Sequence, residues 1–193
     1  MNYRLLDHRT SPLGNAYLHD VYELSNDRVH ESIYCCMPDG MLGITVILNG
    51  ECWIDTGGCW EKQAVGSVYG LITKHQFIKM GPGYREITIG FLPHVFQSLT
   101  SVSMSSLLKR NATDLFYLFD RFVVEQLLTQ LMLASNDAEI LAAIDAFILS
   151  TRRDIVPDRR ISEGFRLISA SKINQVSDLS SVLDLSTTGL RTL

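Results

Sequence analysis

The chain has 193 residues, 46% of them apolar, and a formal net charge of −4. That length suits one domain or two small ones, and the apolar content supports a packed core and excludes a disordered polypeptide. Met1-Asn2-Tyr3-Arg4 lacks the apolar stretch of a secretory leader, and no apolar run approaches the roughly 18 residues of a membrane span, so a cytoplasmic protein with no membrane partner is expected.

The net charge hides an asymmetry. Residues 1–105 and 106–150 each carry an acidic excess, whereas residues 151–193 hold 7 basic against 5 acidic side chains. The only basic segment is therefore the last one, the sign that contact with phosphates would require. Cys35, Cys36, Cys52 and Cys59 show no C-x-x-C spacing and read as free thiols in a reducing compartment. The Asn111-Ala112-Thr113 sequon then has no role.

Residues 17–101 read as short strands. Ile44-Thr45-Val46-Ile47-Leu48 is β-branched and apolar, Asn49-Gly50 follows, and Glu51-Cys52-Trp53-Ile54-Asp55 alternates. Asn-Gly between two such runs predicts a hairpin, because both residues accept positive φ. Turn residues recur at Pro38-Asp39-Gly40, Gly57-Gly58 and Gly81-Pro82-Gly83. Between them lie Ser67–Ile72, Gln76–Met80 and Arg85–Phe91. Strands at this spacing, with no long helical pattern, indicate a sandwich or barrel, and a jelly roll is the natural closed form. Trp53, Tyr69, Phe77 and Phe91 fall on candidate inward positions. They either fill the barrel or wall a small-molecule site.

Catalytic signatures are missing from this half. His8, His19, His30, His75 and His94 form no His-x-His pair, and none has a Glu at a ligand spacing, so no metal and no cofactor are expected. There is no Gly-x-Ser-x-Gly elbow, and Gly81-Pro82-Gly83 lacks the Lys-Ser/Thr of a phosphate loop.

From Thr113 the period lengthens to about 3.6 residues. Phe116, Phe119, Val123, Leu127 and Leu131 recur at helical spacing, widened by Leu115, Leu118 and Phe122. Ser135-Asn136-Asp137 breaks this helix, and Asn136 with Glu139 forms a capping box for a second one carrying Ile140, Ile144, Phe147 and Ile148. The pair packs on the barrel or on a second copy of the chain. Residues 151–157, charged and closed by Pro157, read as a linker, and Ile161, Phe165 and Ile168 mark a support helix.

The tail reads as a helix-turn-helix. Leu179, Val182 and Leu183 share one helical face, Asp184-Leu185 turns, and Ser186 can cap a second helix holding Leu190 and Leu193. Two short helices joined this tightly lay the second in a DNA major groove. That second helix reads as cut short, so the DNA reader is expected to be incomplete and DNA binding poor.

The order of barrel, helical pair, support helix and the run Val176–Leu190 resembles the AraC/XylS family of bacterial transcription regulators. Cys36-Met37-Pro38-Asp39-Gly40 followed by two strands, and Phe91-Leu92-Pro93-His94, are similar to the cupin-like sensor of one branch. The resemblance implies an α+β chain in three parts: a cupin-like jelly-roll sensor at 1–105, connector helices at 106–151 that support a homodimer, and a linker with the first, incomplete helix-turn-helix at 152–193. It implies DNA as partner of the full-length protein, a possible small-molecule effector and no catalysis, with Ser186, Thr187, Thr188 and Arg191 facing DNA. The family commonly has alanine where Ser180 stands, glycine where Asp184 stands, and arginines where Thr188 and Thr192 stand. Two other readings remain open: a cupin-like isomerase or metal-dependent oxygenase with a helical tail, and a pure dimerisation module.

Overall fold

The structure is a computed structural model that describes residues 1–37, 42–70, 74–92, 95–102, 104–107, 112–153, 159–170, 172–173, 175–186 and 188. In chain order its elements are β1 (Asn2–Leu5), α1 (Gly14–Tyr17), β2 (Leu18–Asn26), β3 (Ser32–Cys36), β4 (Leu42–Asn49), β5 (Cys52–Asp55), β6 (Trp60–Lys62), β7 (Gly66–Tyr69), β8 (Gln76–Met80) and β9 (Tyr84–Phe91). There follow α2 (Met104–Leu107), β10 (Thr113–Asp114), α3 (Arg121–Leu133), α4 (Asp137–Thr151), α5 (Arg159–Ser169) and α6 (Val176–Val182). The chain divides into two compact units, Met1–Arg153 and Asp154–Leu193.

The first unit holds two antiparallel sheets. One has six strands in the order β1-β2-β9-β4-β7-β10, the other four in the order β3-β8-β5-β6. The central strands of the larger sheet are buried on both faces, whereas the edge strand β1 is exposed. Ile44 and Val46 of β4 and Ile87, Ile89 and Phe91 of β9 join α3 and α4 in one apolar core. The opposite parity, including Leu24, Ile47 and Tyr84, packs with Cys52 and Met80 of the smaller sheet. Two-sided burial explains why β4 reads as a continuous apolar run rather than an alternating one.

The predicted Asn49-Gly50 hairpin does not form. The turn is present, with Gly50 at φ 78°, but β4 pairs with β7 and β9 while β5 pairs with β6 and β8. The turn therefore carries the chain from one sheet to the other. Gly81-Pro82-Gly83 does the same between β8 and β9, as does the loop after Asn26 between β2 and β3. These three corners are laced together. The buried Asn26 amide donates to the Gly81 and His30 carbonyls at 2.9 and 3.0 Å. Gly81 N–H donates to the Glu51 carbonyl at 2.9 Å, and Gly83 N–H to that of Asn26 at 3.0 Å.

The long helix expected from Thr113 is also corrected. Thr113 and Asp114 instead add an edge strand to β7, a 3-10 turn spans Leu115–Tyr117, and α3 starts at Arg121. Two aspartates set these boundaries. Asp114 accepts from Phe116 N–H at 2.9 Å, and Asp120 accepts from Phe122 N–H at 2.9 Å as the cap of α3. The buried stripe becomes Val124, Leu127 and Leu131, which leaves Phe122 exposed. The capping box of α4 forms as read: Asn136 accepts from Glu139 N–H at 3.0 Å, and the Glu139 carboxylate accepts from Ser135 N–H at 2.7 Å. Phe147 of α4 meets Phe119 edge-on at 5.1 Å. Among the described residues no helix is long and apolar enough to cross a membrane.

The second unit brings α6 against α5. Gly164 makes the close approach possible, because a Cβ there would lie 3.2 Å from a Leu183 methyl and 3.7 Å from a Leu179 methyl. Among the described residues of this unit, Leu167, Leu179 and Leu183 are the buried apolar side chains, whereas Ile168 is exposed. The inward face of α5 is thus shifted by one residue from the expected Ile168.

Candidate ligand cavity

A partly enclosed cavity of about 70 Å³ lies between the two sheets. The larger sheet contributes Tyr22 of β2, Thr45 and Ile47 of β4, Ser67 and Tyr69 of β7, and Tyr84, Glu86 and Thr88 of β9. The smaller sheet contributes Tyr34 and Cys36 of β3, Cys52 and Ile54 of β5, and Gln76 and Ile78 of β8. Gln63 and Ala112 complete the wall. At a water's share of roughly 30 Å³, the space takes about two waters.

Glu86 is the central charge. It is buried on β9, on the parity opposite to Ile87 and Ile89. The Tyr84 phenol donates to one carboxylate oxygen. The Thr88 hydroxyl donates to the other at 3.2 Å and lies 3.2 Å from the Thr45 hydroxyl. Burial pushes the Glu86 carboxyl up to about 7, against the smaller downward pull of these two hydrogen bonds. Its field spreads through the cavity. Burial first and Glu86 second raise Tyr22, Tyr34 and Tyr84 above the ordinary phenol range, and the same pair pushes the Cys52 thiol up to about 12. No Lys, Arg or His stands among the described lining residues.

Of the four aromatics expected inside, only Tyr69 lines the cavity. Strand parity misplaces the other three. Cys52 and Ile54 face inward, so Trp53 between them points outward, where the Lys79 ammonium sits 4.6 Å from its ring. Gln76 and Ile78 face inward, so Phe77 is 42% exposed and packs on His75. Phe91 is fully buried, but on the helix-facing side of the larger sheet against Phe96. The sequence signal for Glu86 is weak, because Glu86 and Thr88 alternating with Ile87 and Ile89 is a pattern that a solvent face and a cavity wall share.

Tyr69 needs a gap to enter the wall. A Cβ on Gly43 would overlap both the Tyr69 hydroxyl and the Ile89 carbonyl oxygen. Glycine at this position thus lets the phenol lie across the β4 backbone.

In the second unit α6 ends at Val182, and Leu183 and Asp184 form the turn. Asp184 has φ 52°, the left-handed conformation that favours glycine. Ser180 is buried, and its hydroxyl donates to the Ser177 carbonyl at 2.8 Å, which satisfies a polar group on an otherwise apolar face. Ser186 and Thr188 are exposed. Pro38-Asp39-Gly40, Leu71, Ile72, Pro93, His94, residues 154–157 of the expected linker, Thr187, Leu190, Arg191 and Leu193 lie outside the described residues, whereas Thr151 of that linker ends α4.

Two antiparallel sheets around a polar cavity, backed by helices and followed by a small helical unit, define a mixed α/β class. No protein-family model and no curated protein matches the chain. Among solved structures, the fold is similar to that of ToxT from Vibrio cholerae in its unsaturated-fatty-acid-bound form. The TM-score is 0.51 at 11% identity, over 98% of this chain and 72% of that one. Another ToxT crystal form gives a TM-score of 0.48 at 10% identity, over 89% of this chain and 73% of that one. The AraC-like transcriptional activator CuxR gives 0.40 at 12% identity, over 97% and 77%.

Proposed function

We propose that the chain is the sensor part of an AraC-type transcription regulator, with a partial DNA reader. In this reading residues 1–105 form a cupin-like jelly roll that takes a small-molecule effector, and residues 106–151 are connector helices that pair two copies. Residues 152–193 open the DNA-binding domain, with Ser186, Thr187, Thr188 and Arg191 toward the major groove. The observation that carries the reading is the polar cavity around Glu86, in a fold shared with ToxT. Burying a carboxylate costs stability, and a cavity that sets this acid among apolar walls with a few convergent hydroxyl and amide groups is suited to recognising one small molecule. The turn at Asp184, at the position where the resembled family has glycine, supports the helix-turn-helix part.

The test is a mobility-shift titration of the chain against a randomised duplex pool at low and at physiological salt. Weak binding with a shallow salt dependence is expected, since a partial reader makes few phosphate contacts and the slope scales with their number. Tight, sequence-specific binding at physiological salt contradicts the partial reader, and no association even at low salt overturns the regulator reading.

A further inference from the structure

We propose that the cavity binds a small primary ammonium compound whose nitrogen pairs with the Glu86 carboxylate. This rests on the sensor reading above and narrows it to a ligand class.

The geometry favours a cation that donates hydrogen bonds. Glu86 is buried between the two sheets, and Tyr84 and Thr88 each supply one described donor. A carboxylate offers about four acceptor sites, so capacity remains for an incoming donor. The hydroxyls of Tyr22, Tyr34 and Thr45 line the same space and accept as well as donate. An ammonium group brings three donors and no acceptor, which matches a wall rich in acceptors around one negative charge. The tyrosine rings add an aromatic surface of the kind that attracts cations. At about 70 Å³ the cavity takes a ligand of only a few heavy atoms.

An anion suits the same space poorly. A second carboxylate would meet the Glu86 charge in a site of low dielectric, where burial first and that charge second already hold Tyr22, Tyr34, Cys52 and Tyr84 protonated. The likeness to fatty-acid-bound ToxT therefore extends to the fold and not to the ligand. The volume points the same way, because it is far below the roughly 300–1,000 Å³ of pockets for larger organic ligands.

The experiment is a calorimetric and thermal-shift titration of the full chain with propylammonium, propanol, propionate and glycerol, run in phosphate and in a second anionic buffer of different ionisation enthalpy. Propylammonium is expected to bind at least tenfold more tightly than propanol, and propionate to give no shift. Glu86→Gln, checked for folding by circular dichroism, is expected to erase the difference between propylammonium and propanol. The unaltered chain supplies a second readout, proton release on ammonium binding near pH 7. Among the described residues, the titratable groups that line the cavity with Glu86 are Tyr22, Tyr34, Cys36, Cys52, Tyr69 and Tyr84. Of these, Tyr22, Tyr34, Cys52 and Tyr84 stay protonated there, and the proton is expected to leave Glu86. Stronger binding of propionate or propanol overturns the assignment and leaves a ligand cavity of another chemistry. Unchanged ammonium binding by folded Glu86→Gln, or no shift with any of the four compounds, also overturns it. The DNA titration judges the regulator reading independently.

Discussion

Tyr84 and Glu86 leave β9 on the same face, and the phenol of the first donates to the carboxylate of the second inside the cavity. The pair shows how a β-strand period of two can build a polar site on one face of a strand that buries Ile87, Ile89 and Phe91 on the other. Tyr84 also closes the cavity floor, packing with Leu24, Ile47, Cys52 and Met80. One side chain thus supplies both apolar cover and the proton that stabilises the buried acid.

Glu86 should make the fold less stable as pH rises. Its carboxyl has an ordinary value of 4.5 and titrates in the folded chain at about 7. Between those values the folded chain holds a proton that the unfolded chain has released, so unfolding stability falls with rising pH and is flat on either side. The loss across the window is about 3 kcal/mol. Urea denaturation at pH 5 and pH 8 measures it, and Glu86→Gln is expected to remove most of the difference. His8, lowered mainly by its own burial, titrates in both chains and cancels in the comparison. An equal pH dependence in Glu86→Gln refutes this account.

Gly43 sets the position of Tyr69. Because a Cβ there overlaps both the Ile89 carbonyl and the Tyr69 hydroxyl, Gly43→Ala must shift backbone as well as side chain. The expected cost is about 1–3 kcal/mol, the usual penalty for overpacking a filled site. Tyr69→Ala in the same chain relieves only the side-chain half of the clash. The double variant is therefore expected to lose less than the sum of the two single losses, which chemical denaturation of all three chains can resolve.

Much of the first unit was legible along the chain. Its strands, its turns and the change of period toward the helices follow from β-branched runs, Gly and Asn positions and the apolar spacing. Pairing was not legible. Asn49-Gly50 signals a reversal whether the next strand joins the same sheet or the opposite one, and nothing local distinguishes a hairpin from a corner. The site was hidden for a related reason. Alternation tells which residues share a face but not what lies beyond it. Trp53 and Phe77 were placed inside because large aromatics favour burial, yet Cys52, Ile54 and Ile78 hold those inward positions. The readable clue was β4, apolar on both parities. It requires cover on two sides and so makes the polar parity of its neighbour β9 an interior surface.

Asp184 occupies the left-handed turn after α6 at φ 52°. An L-residue other than glycine is strained there, though Asp tolerates it better than most. Asp184→Gly removes the strain and adds some freedom to the unfolded chain, and the net gain is expected at about 0.5 kcal/mol. Asp184→Val is expected to lose about 1–2 kcal/mol, since a β-branched side chain is the worst fit at positive φ. Hydrogen exchange at Leu183 and Leu185, whose amides bond back to Leu179 and Ser180 at 3.0 and 2.9 Å, reads the local effect. Faster exchange in Asp184→Gly than in the parent chain contradicts the strain argument.

The proposed pairing of two copies has a specific surface to test. Phe122 and Leu133 are 71% and 77% exposed on α3, and eleven residues is close to three helical turns, so the two side chains lie on one face. The buried stripe of the same helix, Val124, Leu127 and Leu131, points to the core, and the exposed pair is free of any role in holding the first unit together. Charged substitutions there should therefore leave the fold intact. Phe122→Glu combined with Leu133→Glu is expected to keep the parent circular dichroism while shifting sedimentation from dimer to monomer, and to lower the melting temperature only by the stabilisation that dimerisation supplies. A parent chain that sediments as a monomer at high concentration, or a double variant that remains dimeric, removes α3 from the proposed interface.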